Sequence, residues 1–307
     1  MGLENEDNVT GFLIQGFSEF AEIQFPIFTL FLIMYLIILL GNVTVFAVIS
    51  SSSHLHTPMY IFLMNLSCLD ISFTTNILPN LLHVLLTQHK DISFVGCMTQ
   101  MYFFGSFTCS EFLLLTAMAY DRYVAICHPL HYVLRMSLRN CAVFVAATWT
   151  IGFLEFTGHT VLISNLSFCA SNLIEHFFCD VYPLLKLSCT DTFNVELLNY
   201  IEGTLMTFNS FLLTLISYIF IVSTIVNIQS SGGRSKAFST CTSHLTCVIM
   251  FYGTLFSLYM RPSSHYSPSR DKFFALVYVV MNPLLNPFVY TLKNKEFQDG
   301  LKKLSPI

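Results

Sequence analysis

Met118-Ala-Tyr-Asp121-Arg122-Tyr123-Val-Ala-Ile-Cys127-His128-Pro129 closes the third long apolar run of the chain and sets an acid, an arginine and an aromatic side by side. About twenty residues of lipid-compatible helix precede it, so the triplet falls where a membrane helix meets water. Arginine keeps its proton, and near a bilayer it must be paired or face a wet cavity. Two readings follow. Arg122 is a latch, paired with Asp121 in one conformation and released to a partner in another, or it is an anchor that snorkels to the interface.

The 307-residue chain is 54% hydrophobic and 10% charged. With a mean hydropathy of +0.64, that excludes a soluble globule and leaves a polytopic membrane protein. Seven runs of spanning length can be marked, at about 25–49, 58–86, 97–126, 141–163, 196–228, 238–260 and 273–292. The first is too long for a signal-peptide core and has no basic stretch before it, so it reads as a retained helix. An odd number of spans puts the ends on opposite sides. With the C-terminus cytosolic, Arg122, Arg135, Arg139, Arg234, Lys236, Lys293, Lys295, Lys302 and Lys303 fall inside. Only Lys90, Lys186, Arg261, Arg270 and Lys272 fall outside, so the positive-inside bias predicts an outer N-terminus. The expected organisation is an extracellular tail (1–24), a seven-span body (25–292) and a cytoplasmic tail (293–307). In that tail, Lys295 to Lys303 reads as a basic amphipathic helix on the inner leaflet. The fold class is therefore an all-α membrane protein, a seven-helix bundle with a short C-terminal amphipathic helix.

The outer tail carries Asn8-Val-Thr10, a glycosylation sequon in reach of the transferase. Asn42-Val-Thr44 and Asn65-Leu-Ser67 match the pattern but lie inside helices, and Asn165-Leu-Ser167 sits at the outer end of the fourth span. Asn42, Asp70, Glu111 and Asn286 are the polar residues least able to face lipid. Counted from the inner ends, Asp70 and Glu111 are both about 16–20 Å deep. Two acids at one depth share a proton or a cation, or belong to a neutral network that fixes packing. A sodium ion among Asp70, Glu111 and Asn286 is the bound group considered; no organic cofactor, metal cluster or nucleic-acid partner is expected. Phe104, Thr108, Glu111, Leu115 and Arg122 share one face of the third helix over about 27 Å, joining an outer cavity, a buried acid and the inner arginine.

Of the ten cysteines, Cys97, Cys169, Cys179 and Cys189 lie outside, where four allow three disulfide pairings. The long segment from Ile163 to Val195 is expected to be a disulfide-bonded lid. Glu202 in the fifth span either lines a cavity below it or rises to the interface; Glu155 in the fourth is read as rising. Ser230-Ser-Gly-Gly-Arg-Ser235 is a short inner connector, too short to hide an enzyme domain. Pro283 and Pro287 predict a hinge in the inner half of the last span.

Eight stretches in order resemble the odorant receptors, a branch of the rhodopsin-like G-protein-coupled receptors. They are Gly41-Asn42, Leu55-His-Thr-Pro-Met-Tyr60, Leu66-Ser-Cys-Leu-Asp70, Met118 to Cys127, Ser217-Tyr218, Lys236-Ala-Phe-Ser-Thr-Cys241, Phe251-Tyr-Gly-Thr254 and Asn286-Pro-Phe-Val-Tyr290. Tyr252 stands where many other rhodopsin-like receptors carry a tryptophan. The resemblance implies Cys97–Cys179 and Cys169–Cys189 disulfides. It implies an odorant cavity lined by Phe104, Gly105, Thr108, Cys109, Glu202, Met206, Tyr252, Leu255, Phe256 and Tyr259. It implies an inner switch of Asp121, Arg122, Tyr123, Tyr218, His244 and Tyr290, with Tyr60 and the region of Arg135 adding to the cytosolic surface. The implied partner is a stimulatory olfactory heterotrimeric G protein that raises cyclic AMP, and the implied location is the plasma membrane of sensory cilia. A volatile of about a dozen heavy atoms at roughly 0.3–0.5 kcal/mol each would bind with about 4–6 kcal/mol, between tens of micromolar and millimolar. The rival readings are a receptor for an amine or peptide, a transporter, and an intramembrane enzyme. Seven dissimilar spans lack a transporter's repeat, and no nucleophile with an evident base and no metal-spaced histidine pair supports an enzyme.

Overall fold

A computed structural model of the chain describes residues 10–17, 23–169, 171–259, 267–291 and 295–304. Seven helices in it are long and apolar enough to cross a bilayer. The central one is α3 (Phe94–Cys127), started by the Ser93 hydroxyl, which accepts from the Gly96 N–H at 3.1 Å. At 34 residues it is about 51 Å long, well beyond the apolar core of a membrane. Eighteen of its residues are buried, because α3 is surrounded: α2 (Pro58–Thr87), α5 (Leu138–Ser164) and α7 (Phe193–Val226) all pack on it. The outer helices show the complementary pattern. α1 (Gln24–Ser51) exposes Leu30, Leu36 and Leu40, and α7 exposes Leu205, Leu213 and Phe220, as surfaces facing lipid rather than water should.

The spans agree with the apolar runs to within a few residues, with one larger departure. The Gly/Ser connector is not a loop: α8 runs Ser231–Tyr259. The Ser230 hydroxyl accepts from Gly233 N–H at 3.1 Å, and this cap starts the helix in spite of two glycines. The last span is built from α9 (Pro268–Leu276), a π-helical turn (Val277–Met281) and α10 (Asn282–Thr291). The helix is thus irregular just before Pro283, at the turn where the chain carries one extra residue, and Pro287, which has no N–H, leaves the Pro283 carbonyl four residues back to another partner. The short α4 (Tyr132–Arg135) bridges α3 and α5. α11 (Lys295–Leu304) buries Phe297 at the arginine end of the bundle. Its Gly300 lies so near Val48 and Ser52 that a Cβ would come within about 3.2 Å of both.

The end of the bundle opposite Arg122 is closed by a lid. Cys97–Cys179 staples it to the top of α3, and Cys169–Cys189 closes it on itself. The tail contributes more than a loose extension. Strand β1 (Gly11–Ile14) runs between β2 (Asp91–Ser93), antiparallel with Phe12 opposite Ile92, and β3 (Leu173–Ile174), parallel. Phe12 and Ile14 point inward, Phe12 with its ring edge-on to Phe168 at 5.2 Å. One turn of helix, α6 (Val181–Leu185), completes the lid beneath this sheet. Asn8 lies outside the described residues.

Candidate functional site

Beneath the lid, α3, α5, α7 and α8 enclose a cavity of about 100 Å³. Its α3 wall is Phe104, Gly105, Thr108, Cys109 and Phe112, one helical face; Leu255 and Tyr259 come from α8. Six of the ten residues expected to line an odorant site meet here. Glu202, Met206, Tyr252 and Phe256 do not reach the wall. Glu202 turns to α5 instead, where its Oε2 is 3.4 Å from His159 Nδ1. Glu155 does not rise to the interface; it is half-buried beside Cys109. Tyr252 lies one ring deeper, tilted against Phe112 at 5.5 Å and edge-on to Phe211 at 5.2 Å.

Other wall residues come from places where the sequence offers little warning. Phe156 of α5 fits against Gly105 so closely that a Cβ there would overlap its ring, and Asn199, Gly203, Thr204 and Thr207 form a small-residue face of α7. The lid supplies Asp180, Val181 and Tyr182. Asp180 is the cavity's own carboxylate. Its Oδ1 accepts from Val181 N–H at 2.8 Å, and its Oδ2 accepts from the Tyr259 hydroxyl at 3.0 Å, which ties lid to α8. Burial raises this carboxyl to about 6, against those two donors. Its signal in the sequence is adjacency to Cys179, since the disulfide to α3 holds the next residue over the bundle. Behind it, His176 is stacked on Phe177 and is lowered to about 3, first by burial and then by nearby Lys272.

The cavity floor leads into a polar core. The Tyr278 hydroxyl is 3.1 Å from Thr108 Oγ1 and 3.2 Å from Glu111 Oε2. Tyr278 went unmarked in the sequence because it sits in the π-turn, where eight residues of spacing to Asn286 no longer imply a shared face. Asn286 Nδ2 donates to both oxygens of Asp70, at 3.2 and 3.0 Å, and Asp70 is within electrostatic reach of Glu111. Asn42 donates to the carbonyls of Ile38 and Pro283, each at 3.0 Å. That second bond takes up the carbonyl that Pro287, four residues on and without an N–H, leaves free. The three residues considered for a sodium site are thus neighbours, with acceptor oxygens from two carboxylates.

At the far end the arginine is latched. Arg122 Nε donates to Asp121 Oδ2 at 2.8 Å, a second guanidinium nitrogen donates to the same oxygen, and Tyr132 of α4 donates to Oδ1 at 2.9 Å. Asp121 is fully buried, and the pair is desolvated on its side. Burial and then Asp121 raise the Tyr132 hydroxyl's pKa, which keeps it a donor. Across the bundle the Tyr218 hydroxyl meets His244 Nδ1 at 2.6 Å, with Arg122 close enough to act on both electrostatically. Tyr123 instead bonds His128 Nε2 at 2.9 Å, below α3. Tyr60 reaches Glu296 of α11 at 3.5 Å. The side chain of Tyr290 lies outside those described.

A family model described as olfactory receptor matches residues 31–305. The chain is 48% identical to olfactory receptor 1C1 of Homo sapiens over 297 residues, 96% of this chain and 94% of that one. It is 47% identical to olfactory receptor 1L6 of Homo sapiens (99% and 88%) and 45% identical to olfactory receptor 5AR1 of Mus musculus (99% and 98%). A seven-helix bundle with a lidded cavity at one end and a latched arginine at the other, matched over nearly its whole length, belongs to the olfactory receptor family, whose members are membrane receptors and not enzymes.

Proposed function

We propose that the chain binds small volatile odorants in the cavity under the lid, with the lid extracellular and the Arg122 end cytosolic, and that it activates a stimulatory olfactory G protein, raising cyclic AMP in sensory cilia. The observation that carries this reading is continuity: Thr108 lines the cavity and accepts from Tyr278, which also reaches Glu111. A guest that moves Thr108 therefore disturbs the polar core directly. The excess of Lys and Arg at the Arg122 end supports the orientation.

A cavity of about 100 Å³ is smaller than the roughly 300–1,000 Å³ of drug-sized sites. An odorant of about a dozen heavy atoms must push its walls apart, so it binds an expanded bundle better than the closed one. That differential affinity is what a ligand needs to shift a conformational equilibrium. Release of Arg122 from Asp121 is the corresponding change at the cytosolic end.

The Asp70–Glu111 pair holds one positive charge in this reading, a sodium ion on the free lone pairs of the two carboxylates with Asn286 fixing Asp70. Sodium-dependent thermal stability that disappears in Glu111→Gln is the expected sign.

The test is a cyclic-AMP reporter in cells given a chemically diverse odorant panel, with Arg122→Ala as the silent control. Saturable responses that vanish in that variant at equal surface expression support the proposal. A chain that reaches the surface and never promotes nucleotide exchange with any odorant overturns it.

A further inference from the structure

Two cavities adjoin on the outside of the bundle, away from the odorant cavity. The first, of about 480 Å³, is an apolar trough between α3, α5 and α7, running from Leu113 to Tyr123 on α3, Ile151 to Phe144 on α5 and Leu213 to Phe220 on α7. α5 and α7 each pack on α3 and touch one another little, which leaves the trough open to the bilayer. Its rim residues Leu213 and Phe220 are 56% and 53% exposed. The second cavity, of about 420 Å³, lies at the arginine end and is of mixed character: Arg135 and Asn140 face it beside Leu134 and Val143. Tyr120 and Phe144 line both, so one opens into the other.

The polarity of this composite site matches one class of molecule. The ten steps along α3 from Leu113 to Tyr123 rise about 15 Å, half of the roughly 30 Å apolar thickness of a bilayer, so the trough has the depth of one leaflet. A second copy's spanning helix would need twice that length. At the trough's mouth the charge is positive. Residues 128–141 hold Arg135 and Arg139 and no acid. No carboxylate among the described residues pairs with Arg135. The start of α5, capped by Ser137, adds the positive end of a 27-residue helix to the same place.

We propose that this is a binding site for an anionic phospholipid of the leaflet at the Arg122 end, with one acyl chain in the trough and the phosphate on Arg135. Under the orientation proposed above that leaflet is the cytoplasmic one, where anionic lipids are found. Bound lipid would bridge α4 to α5 and α7, and so would brace the short helix whose Tyr132 holds Asp121.

The experiment places the purified full-length chain in nanodiscs doped with phosphatidylserine or phosphatidylcholine carrying a photoreactive acyl chain, and maps the labelled peptides. Both leaflets then have one composition, so the result does not depend on orientation or on odorant response. The phosphatidylserine probe is expected to label the trough faces of α3, α5 and α7 about fivefold more than the phosphatidylcholine probe. Arg135→Gln should remove that preference, Arg135→Lys should keep most of it, and Ala147→Trp should block labelling by both. Inorganic phosphate at millimolar concentration should not compete, because the acyl chain supplies the trough contacts. Equal labelling by the two probes in the wild-type chain overturns the proposal without reference to any variant. So do labelling indifferent to Arg135→Gln, displacement by a neutral sterol, competition by free phosphate, or crosslinks between copies across this face.

Discussion

The Tyr278 hydroxyl stands 3.1 Å from Thr108 Oγ1, the point where the wall of the lidded cavity meets the polar core of the membrane bundle. Thr108 spends its own hydrogen on the Phe104 carbonyl at 2.9 Å, so it can only accept from Tyr278. The same tyrosine is 3.2 Å from Glu111 and has one hydrogen to share between the two. Tyr278→Phe leaves Thr108 and Glu111 without that partner in a buried place. A loss of about 1–3 kcal/mol is expected, read as a lower melting temperature of the purified receptor. A Thr108→Val receptor should keep its surface expression and change its ranking of odorants in the reporter assay. Unchanged melting and ranking in both variants would separate the cavity from the core.

Gly105 and Phe156 give a second expectation. The ring of Phe156 occupies the space a Cβ on residue 105 would need. Gly105→Ala must therefore push a wall of the cavity, and overpacking of this kind costs about 1–3 kcal/mol. Responses to the bulkiest agonists should fall more than responses to the smallest, measured as half-maximal concentrations at matched surface expression. Combining it with Phe156→Leu should restore them.

The spans were readable in advance because a run of apolar residues of membrane length needs no partner to identify it. α3 was readable further, since Phe104, Thr108 and Glu111 fall on one face of a regular helix and are all buried. What escaped depends on departures from regularity or on long-range pairing. Tyr278 is hidden by the π-turn, and Asp180 acquires its place over the cavity only through a disulfide 82 residues long in sequence. The strand Gly11–Ile14 pairs with segments about 80 and 160 residues away, which no local pattern in four residues can announce. Glu202 stays open in the sequence for a related reason: its partner His159 is on another helix, and depth alone cannot tell a cavity from a neighbouring side chain.

The latch gives a third prediction. Tyr132 and Arg122 hold opposite oxygens of Asp121. Tyr132→Phe removes one neutral donor to a charged acceptor, while Asp121→Asn removes the charge that holds the guanidinium. Ligand-independent nucleotide exchange should rise in both, more in Asp121→Asn, with Arg122→Ala silent in either background. Exchange that stays at the wild-type level in Asp121→Asn would mean that the pair does not restrain the receptor.

The lid makes a prediction about pH, with two groups pulling in opposite directions. Asp180, raised to about 6 chiefly by burial, binds its proton more tightly in the folded lid than in an unfolded chain. Unfolding between about pH 4 and 6 therefore releases a proton, and this residue's contribution to stability falls as pH rises through that window. His176, lowered to about 3 by burial and by Lys272, binds its proton less tightly when folded. Its contribution is present above about 6.5 and is lost as pH falls towards 3. Melting curves of the purified receptor between pH 4 and 7 should separate them. Relative to wild type, Asp180→Asn should gain most at pH 7, where the buried charge is fully formed, and His176→Gln should gain most near pH 4. In the reporter assay a cationic odorant meets an ionised Asp180 above about pH 6 and a neutral one below it. Its potency should then fall on acidification through that value in wild type and stay level in Asp180→Asn.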